Sequence, residues 1–244
     1  MFRLVTEAEQ FHQKIFGGRF QTNKPIYYQG EKHVSPRSNI FYWSHGKANE
    51  DIEFPLHPHE GFEIFSFIIE GENLHFDTET KVWTPLYSGD FQVVRAGSGV
   101  YHSEKLLKGT RAFQIWFDPN FQVSLRKNAD YADYKAADFK AEKDENNVAI
   151  TQYVGGEKGV KVATEGLNIR KMEFEGTKNI ALENDQNYGF YLLKGNAKIN
   201  GFDLLQDDVM MISNENTAEI ELSNGGSFFI IQMPISLTYK TIWN

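Results

Sequence analysis

From Phe62 onward the chain alternates short apolar runs with turn residues, at intervals too short for helices. Glu63–Glu70, Leu74–Asp77, Lys81–Pro85, Phe91–Arg95 and Ala112–Phe117 each predict a strand, and Gly71, Ser88-Gly89-Asp90 and Ala96-Gly97-Ser98-Gly99 supply the corners. Upstream, Pro25–Gln29 and the aromatic Asn39–Ser44 predict two more strands, separated by a polar turn-like stretch. Residues 7–18 predict a short helix ending at Gly17-Gly18. Downstream the ladder returns in Val148–Val154, Asn168–Glu173, Ile180–Leu182, Gly189–Leu193, Ala197–Ile199, Val209–Ile212, Ala218–Leu222 and Ser227–Met233. Asn200-Gly201 and Asn224-Gly225-Gly226 are among its corners. Strands so short and so closely spaced predict an all-β fold of sandwich or barrel type.

The two ladders share a rhythm. Phe67-Ile68-Ile69-Glu70-Gly71-Glu72 is answered by Tyr191-Leu192-Leu193-Lys194-Gly195-Asn196, and Ser88-Gly89-Asp90-Phe91 by Gln206-Asp207-Asp208-Val209. Duplication of one β-barrel unit explains both matches. Between the ladders, 125–147 is rich in Ala, Asp and Tyr and then in charge, and predicts a solvated connector with a turn or two of helix. The expected organisation is an N-terminal barrel over 1–124, a connector over 125–147 and a C-terminal barrel over 148–244.

Composition narrows the chemistry. Twenty Phe and eleven Tyr suit pleated, half-buried surfaces. The absence of cysteine removes disulfide scaffolds, thiolate zinc sites, iron–sulfur clusters and thiol nucleophiles together. A net charge of −8 without a Lys/Arg cluster argues against direct nucleic-acid binding. No stretch approaches the roughly eighteen apolar residues that span a bilayer, and the N-terminus turns acidic before any apolar run, so no membrane partner and a cytoplasmic location are expected.

All seven histidines lie at or before position 102. Two motifs carry the candidate site: His57-Pro58-His59-Glu60-Gly61-Phe62-Glu63 and Val100-Tyr101-His102-Ser103-Glu104. Residues i and i+2 of a strand project from one face, so His57 with His59, and His102 with Glu104, form two clamps. Pro55, Pro58 and Gly61 disfavour a helix there. Three imidazoles and a carboxylate suit iron, manganese, copper, nickel or zinc and are too nitrogen-rich for magnesium or calcium. Glu63 shares strand parity with the first clamp and is either an alternative ligand or an acceptor that fixes a histidine tautomer. His45, beside Phe41-Tyr42-Trp43, is a candidate pocket residue, as are Glu60 and Phe62. The phenylalanines at 62, 65, 67 and 91 are expected in the core, with some lining a cavity for a flat aromatic ligand. His12, His33 and His75 are expected at the surface or in cross-strand positions. Gly97-Ser98-Gly99 has no following helix start and no Lys-Ser/Thr pair, so it predicts a corner steering His102 inward, not a phosphate cradle.

The two motifs, with the Glu70-Gly71 corner and Ser88-Gly89-Asp90-Phe91-Gln92, resemble the pirin family of the cupin superfamily, including its shorter bacterial quercetinase-like members. The strongest match covers 39–118, and Leu193–Gly201 looks like the family's second barrel. The resemblance implies a bicupin, two antiparallel jelly-roll barrels face to face, with one divalent metal in the N-terminal barrel. That metal is usually iron, here Fe(II), with manganese, nickel, copper, cobalt and zinc as other candidates. Carried over position by position, the ligands are His57, His59, His102 and Glu104, with Glu104 also a proton acceptor. The implied activity is dioxygenation of a flavonol such as quercetin, so the partners are a small aromatic substrate and dioxygen. Family members also act as regulatory factors, which implies the alternative of a metal- and redox-dependent protein that binds a protein partner. A monomer or weak dimer is expected. The chain departs from the family at Glu60, a position commonly basic there; an acid makes the pocket mouth less hospitable to anionic phenolates. A sugar-binding or isomerase cupin ranks third, because the pocket sequence is aromatic and lacks a cluster of cations.

Overall fold

The computed structural model describes residues 1–30 and 34–243. β1 (Phe2–Val5) opens the chain. It is followed by β2 (Phe11–Ile15), β3 (Phe20–Tyr27), β4 (Ile40–Ala48), β5 (Ile52–His59), β6 (Glu63–Glu70), β7 (Glu72–Asp77), β8 (Trp83–Tyr87), β9 (Phe91–Arg95), β10 (Val100–Leu106), β11 (Arg111–Phe117) and β12 (Asp130–Tyr134). The remainder is β13 (Glu142–Lys143), β14 (Ala149–Val154), β15 (Asn168–Ala181), β16 (Gln186–Lys194), β17 (Ala197–Ile199), β18 (Phe202–Leu204), β19 (Val209–Ser213) and β20 (Thr217–Pro234). Every ladder between these strands is antiparallel.

The helix expected over 7–18 does not form. Glu7–Glu9 is a single 3-10 turn closed by the capping box of Thr6 and Glu9, and Phe16–Gly18 is another. Between them β2 pairs with β3 from Phe11↔Lys24 to Ile15↔Phe20, and this ladder outweighs a weak local helix preference. The expected connector likewise contains a strand: β12 pairs with β9 from Asp130↔Arg95 to Tyr134↔Phe91.

The chain divides into two compact units, each assembled from separate segments: Met1–Gln10 with Phe139–Thr238, and Phe11–Asp138 with Tyr239–Asn244. The described histidines all fall in the second of these. It contains a seven-stranded sheet, β12-β9-β6-β11-β4-β3-β2, and a four-stranded sheet, β5-β10-β7-β8. Phe65, Phe91, Phe113, Ile115 and Phe117 are fully buried in it. Its C-terminal segment is tied down at Asp118, whose carbonyl accepts from the Tyr239 hydroxyl and whose Oδ2 accepts from the Ile242 amide at 2.9 Å. Trp243 then rests on Tyr28 and Phe41, each with ring centroids 5.1 Å away.

The other unit is one nine-stranded sheet in which β1 pairs with β19 and β20 pairs with both β16 and β15. Phe190, Leu192, Met210, Ile212, Phe228 and Ile230 form the centre of its apolar core. The β15–β20 register shifts between Phe174 and Gly176, where Gly176 takes φ 86, so two long strands make two successive pairings. Among the described residues no helix is long and apolar enough to cross a membrane.

Candidate metal centre

The site grows from the pairing of β5 with β10. His57 stands opposite His102, and His59 opposite Val100. The register then shifts, because Glu104 stands opposite Phe54, and so Pro55 and Leu56 on β5 face Ser103 alone on β10. Proline suits this bulge because it has no ladder N–H to lose. Its carbonyl lies 2.8 Å from His57 Nδ1, and as an acceptor it fixes the tautomer in which Nδ1 carries the proton and Nε2 the free lone pair. On the β10 side, the corner at Gly97 has φ 50, and a Cβ there would sit 2.6 Å from the Lys127 carbonyl oxygen, so only glycine makes the turn that delivers His102.

One ring nitrogen from each of His57, His59 and His102 lies within 4.8 Å of the other two. Nε2 of His59 and Nε2 of His102 are buried and have no hydrogen-bond partner among the described residues. His102 is held from behind, its Nδ1 3.2 Å from Nε2 of His75. Burial pushes the His59 imidazole down to about 3, helped by His102 and His57, and burial likewise takes His102 well below its ordinary value, helped by His57 and His75. At neutral pH both rings are therefore uncharged lone-pair donors. Buried lone pairs converging without a donor are unfavourable unless a cation sits among them, and neutral imidazoles are what a metal requires. The donor set fits a divalent transition metal.

Glu104 is buried and faces the same cavity, but its carboxylate is not in the tight histidine cluster. Oε2 accepts a hydrogen bond from Gln114 Nε2 at 2.9 Å, and Gln114 Oε1 accepts from Trp116 Nε1 at 3.2 Å. Glu63 goes elsewhere. β5 ends at His59 and Gly61 turns the chain at φ 76, so parity does not carry through to Glu63, which opens β6 in the other sheet and sets Oε1 3.3 Å from Nε of Arg95.

The cavity has a volume of about 190 Å³. His57, His59, Glu104, Gln114, Tyr42 and Trp116 line one part of it. The Tyr42 and Trp116 rings stack with centroids 4.3 Å apart, and Trp116 meets His59 edge-on at 5.0 Å. The three expected pocket residues do not line it. On β4, Tyr42, Ser44 and Gly46 face the cavity, so strand alternation turns His45 away, to where its Nε2 accepts from Arg111 Nε at 3.3 Å. Glu60 is exposed beyond the end of β5, and Phe62 packs on Phe41 and Phe121. Phe67 and Phe91 stack at 4.1 Å as core. His12 is an exposed strand residue, and His33 lies outside the described residues.

His75 corrects an expectation. It is a cross-strand residue, opposite Glu104, yet it is 1% exposed and backs a member of the cluster, with Nδ1 4.0 Å from Asp77 Oδ2. The signal was the alternation Asn73, His75, Asp77 along β7; it fails to declare itself because polar residues on one strand face ordinarily mean the solvent side.

Two antiparallel β units, one of them holding a histidine triad, define a bicupin with a candidate metal site. Residues 18–117 match the family model described as Pirin. The bacterial pirin YhhW of Escherichia coli, crystallised in complex with nickel(II), shares the fold with a TM-score of 0.82 at 18% identity, over 97% of this chain and 100% of that one. A quercetin 2,3-dioxygenase of Acinetobacter baumannii superposes with a TM-score of 0.79 at 19% identity, over 98% and 82%. In sequence, the chain is 28% identical over 205 residues to a Pasteurella multocida protein named provisionally as a quercetin 2,3-dioxygenase, covering 79% of this chain and 84% of that one.

Proposed function

We propose that the protein is a metal-dependent dioxygenase acting on a flavonol or related phenol, with iron(II) held by His57, His59 and His102 and with Glu104 at the metal or beside it. The observation that carries this reading is the pair of buried, unpartnered ring nitrogens on His59 and His102, in an aromatic cavity that also holds a carboxylate. The names of the relatives support the same substrate class. Bound there, the metal would supply Lewis acidity and one-electron chemistry with dioxygen.

The chain's own residues supply the rest. Glu104 takes the phenolic proton, making the electron-rich anion that dioxygen attacks, while the Gln114 amide keeps one carboxylate oxygen in place. Tyr42 and Trp116 offer flat faces that orient a planar ring. Burial raises the Tyr42 phenol above its ordinary value, so it stays protonated and does not compete as a base. Glu104→Gln keeps the shape and removes the base. Iron-loaded protein is expected to consume dioxygen with quercetin, and the variant to lose roughly 10²- to 10⁴-fold in turnover. Metal content measured alongside separates loss of base from loss of ligand. Metal-replete protein that consumes no dioxygen with any member of a flavonol panel would sink the proposal in favour of a redox-dependent binding protein.

A further inference from the structure

The proposed reaction leaves Thr22, Ser44, Ser66 and Asn73 of the cavity lining unused, and among these Asn73 is the one with a buried polar atom that has no hydrogen-bond partner among the described residues. The inner face of β7 carries Asn73, His75 and Asp77, all at 2% exposure or less. Opposite them on β10 stand Leu106, Glu104 and His102, in that order. This face therefore runs from the histidine cluster past Glu104 to Asn73, and both Glu104 and Asn73 line the cavity. Residues two apart on a strand are about 7 Å apart along it, so Asn73 lies about 7 Å beyond the row of Glu104.

Asn73 Oδ1 is buried and has no hydrogen-bond partner among the described residues. Its surroundings do not help it. Leu106, Phe20, Ile15 and Ala112 are apolar, and the hydroxyls of Thr22 and Ser44, which also reach the cavity, bond to each other. A buried carbonyl left unpaired costs about 1–3 kcal/mol, and the soft, roughly two-fold χ2 of asparagine lets a small rotation offer it to a ligand. A carbonyl oxygen asks for a donor. None of the lining residues is lysine or arginine, so an anionic group has no counter-charge here, and a neutral hydroxyl is the group that fits.

We propose that Asn73 is a specificity-determining residue whose carbonyl accepts a hydrogen bond from a second substrate hydroxyl, one strand repeat (about 7 Å) along the cavity from the row of Glu104. The inference rests on the phenol-oxidising reading above and narrows it to planar phenols with two hydroxyls at that spacing, such as a flavonol hydroxylated on its pendant ring. A ligand without the second hydroxyl leaves the carbonyl as unpaired as it is in the free protein and forgoes the gain that the hydroxylated ligand makes.

The test is an anaerobic titration of metal-loaded protein with 3-hydroxyflavone and with its analogue hydroxylated at the far position of the pendant ring, read by quenching of tryptophan fluorescence. Wild type is expected to bind the hydroxylated ligand roughly ten- to a hundredfold more tightly. Asn73→Leu, close in volume and without polar atoms, is expected to erase that preference by weakening the hydroxylated ligand alone. Equal binding of the two ligands by wild type overturns the proposal without recourse to any variant, as does a preference that survives in Asn73→Leu. If wild type binds both ligands and consumes dioxygen with both regardless of position 73, only the role of Asn73 falls. If it binds neither, the phenol-oxidising reading falls and this inference with it.

Discussion

On β10 the inward residues are His102, Glu104 and Leu106; on the first half of β20, which occupies the corresponding place in chain order in the other unit, they are Ala218, Ile220 and Leu222, all fully buried. One interior is furnished with imidazoles and a carboxylate, the other with hydrocarbon. At the cavity and its backing, His59 Nε2, His75 Nδ1, His102 Nε2 and Asn73 Oδ1 are buried without a hydrogen bond, whereas among the described residues of the other unit only Gln186 Oε1 is so placed. Each such atom costs about 1–3 kcal/mol. The difference teaches that two β units of one chain can differ in what their interiors hold: one is filled with hydrocarbon, and the other carries the unpaired polar atoms of a candidate site at a cost in stability.

Four measurements test that contrast, and the tryptophans make them selective. Trp43, Trp83, Trp116 and Trp243 all belong to the histidine unit, so their fluorescence reports on it alone, while far-ultraviolet circular dichroism reports on both. The largest effect is expected from Phe190→Ala, which hollows the apolar core and should destabilise it by about 3–5 kcal/mol in urea, moving the dichroism and leaving the fluorescence midpoint in place. A common shift of both signals would break the comparison. Next, saturation with zinc at a hundredfold excess over Kd should stabilise the histidine unit by about 2.7 kcal/mol, seen in fluorescence. His75→Phe removes the acceptor behind His102 and should weaken zinc roughly 10- to 100-fold; unchanged affinity would show that the 3.2 Å contact has no positioning role.

The smallest effect is the pH dependence of the metal-free protein. His59 titrates at about 3 in the folded state against an ordinary value of 6.5, so the unfolded chain binds the proton first as pH falls. Its contribution to stability is complete above 6.5 and is lost as pH falls through about 3. Between pH 6.5 and 5, above the range of ordinary carboxylates, the fluorescence-detected stability should decline, and His59→Ala should flatten the slope. An unaltered slope in that variant would remove His59 from the account.

Much of this was legible beforehand. Closely spaced apolar runs and glycine corners announced an all-β chain, and the i, i+2 spacing of His57 and His59 announced a clamp, because strand parity is a local property. What was not legible depended on which neighbour a strand meets. The alternation of Glu72–Asp77 says that Asn73, His75 and Asp77 share a face but not that the face turns inward, which is decided by the pairing with β10. Parity carried across Gly61 placed Glu63 with the clamp, whereas the chain changes sheets there. Residues 7–18 looked helical because β2 has no strong strand signature of its own and is a strand only by virtue of β3.

The strap formed by Tyr239, Ile242 and Trp243 bears on the order of synthesis. These residues close the histidine unit at Asp118, Tyr28 and Phe41, yet about a hundred positions of the other unit, Phe139–Thr238, are translated before them. A nascent histidine unit therefore waits, unfinished, while its neighbour is made, and the apolar unit already has its own N-terminal strand in hand. On the ribosome the apolar unit can mature first, and the histidine unit is completed only once Tyr239–Trp243 have emerged.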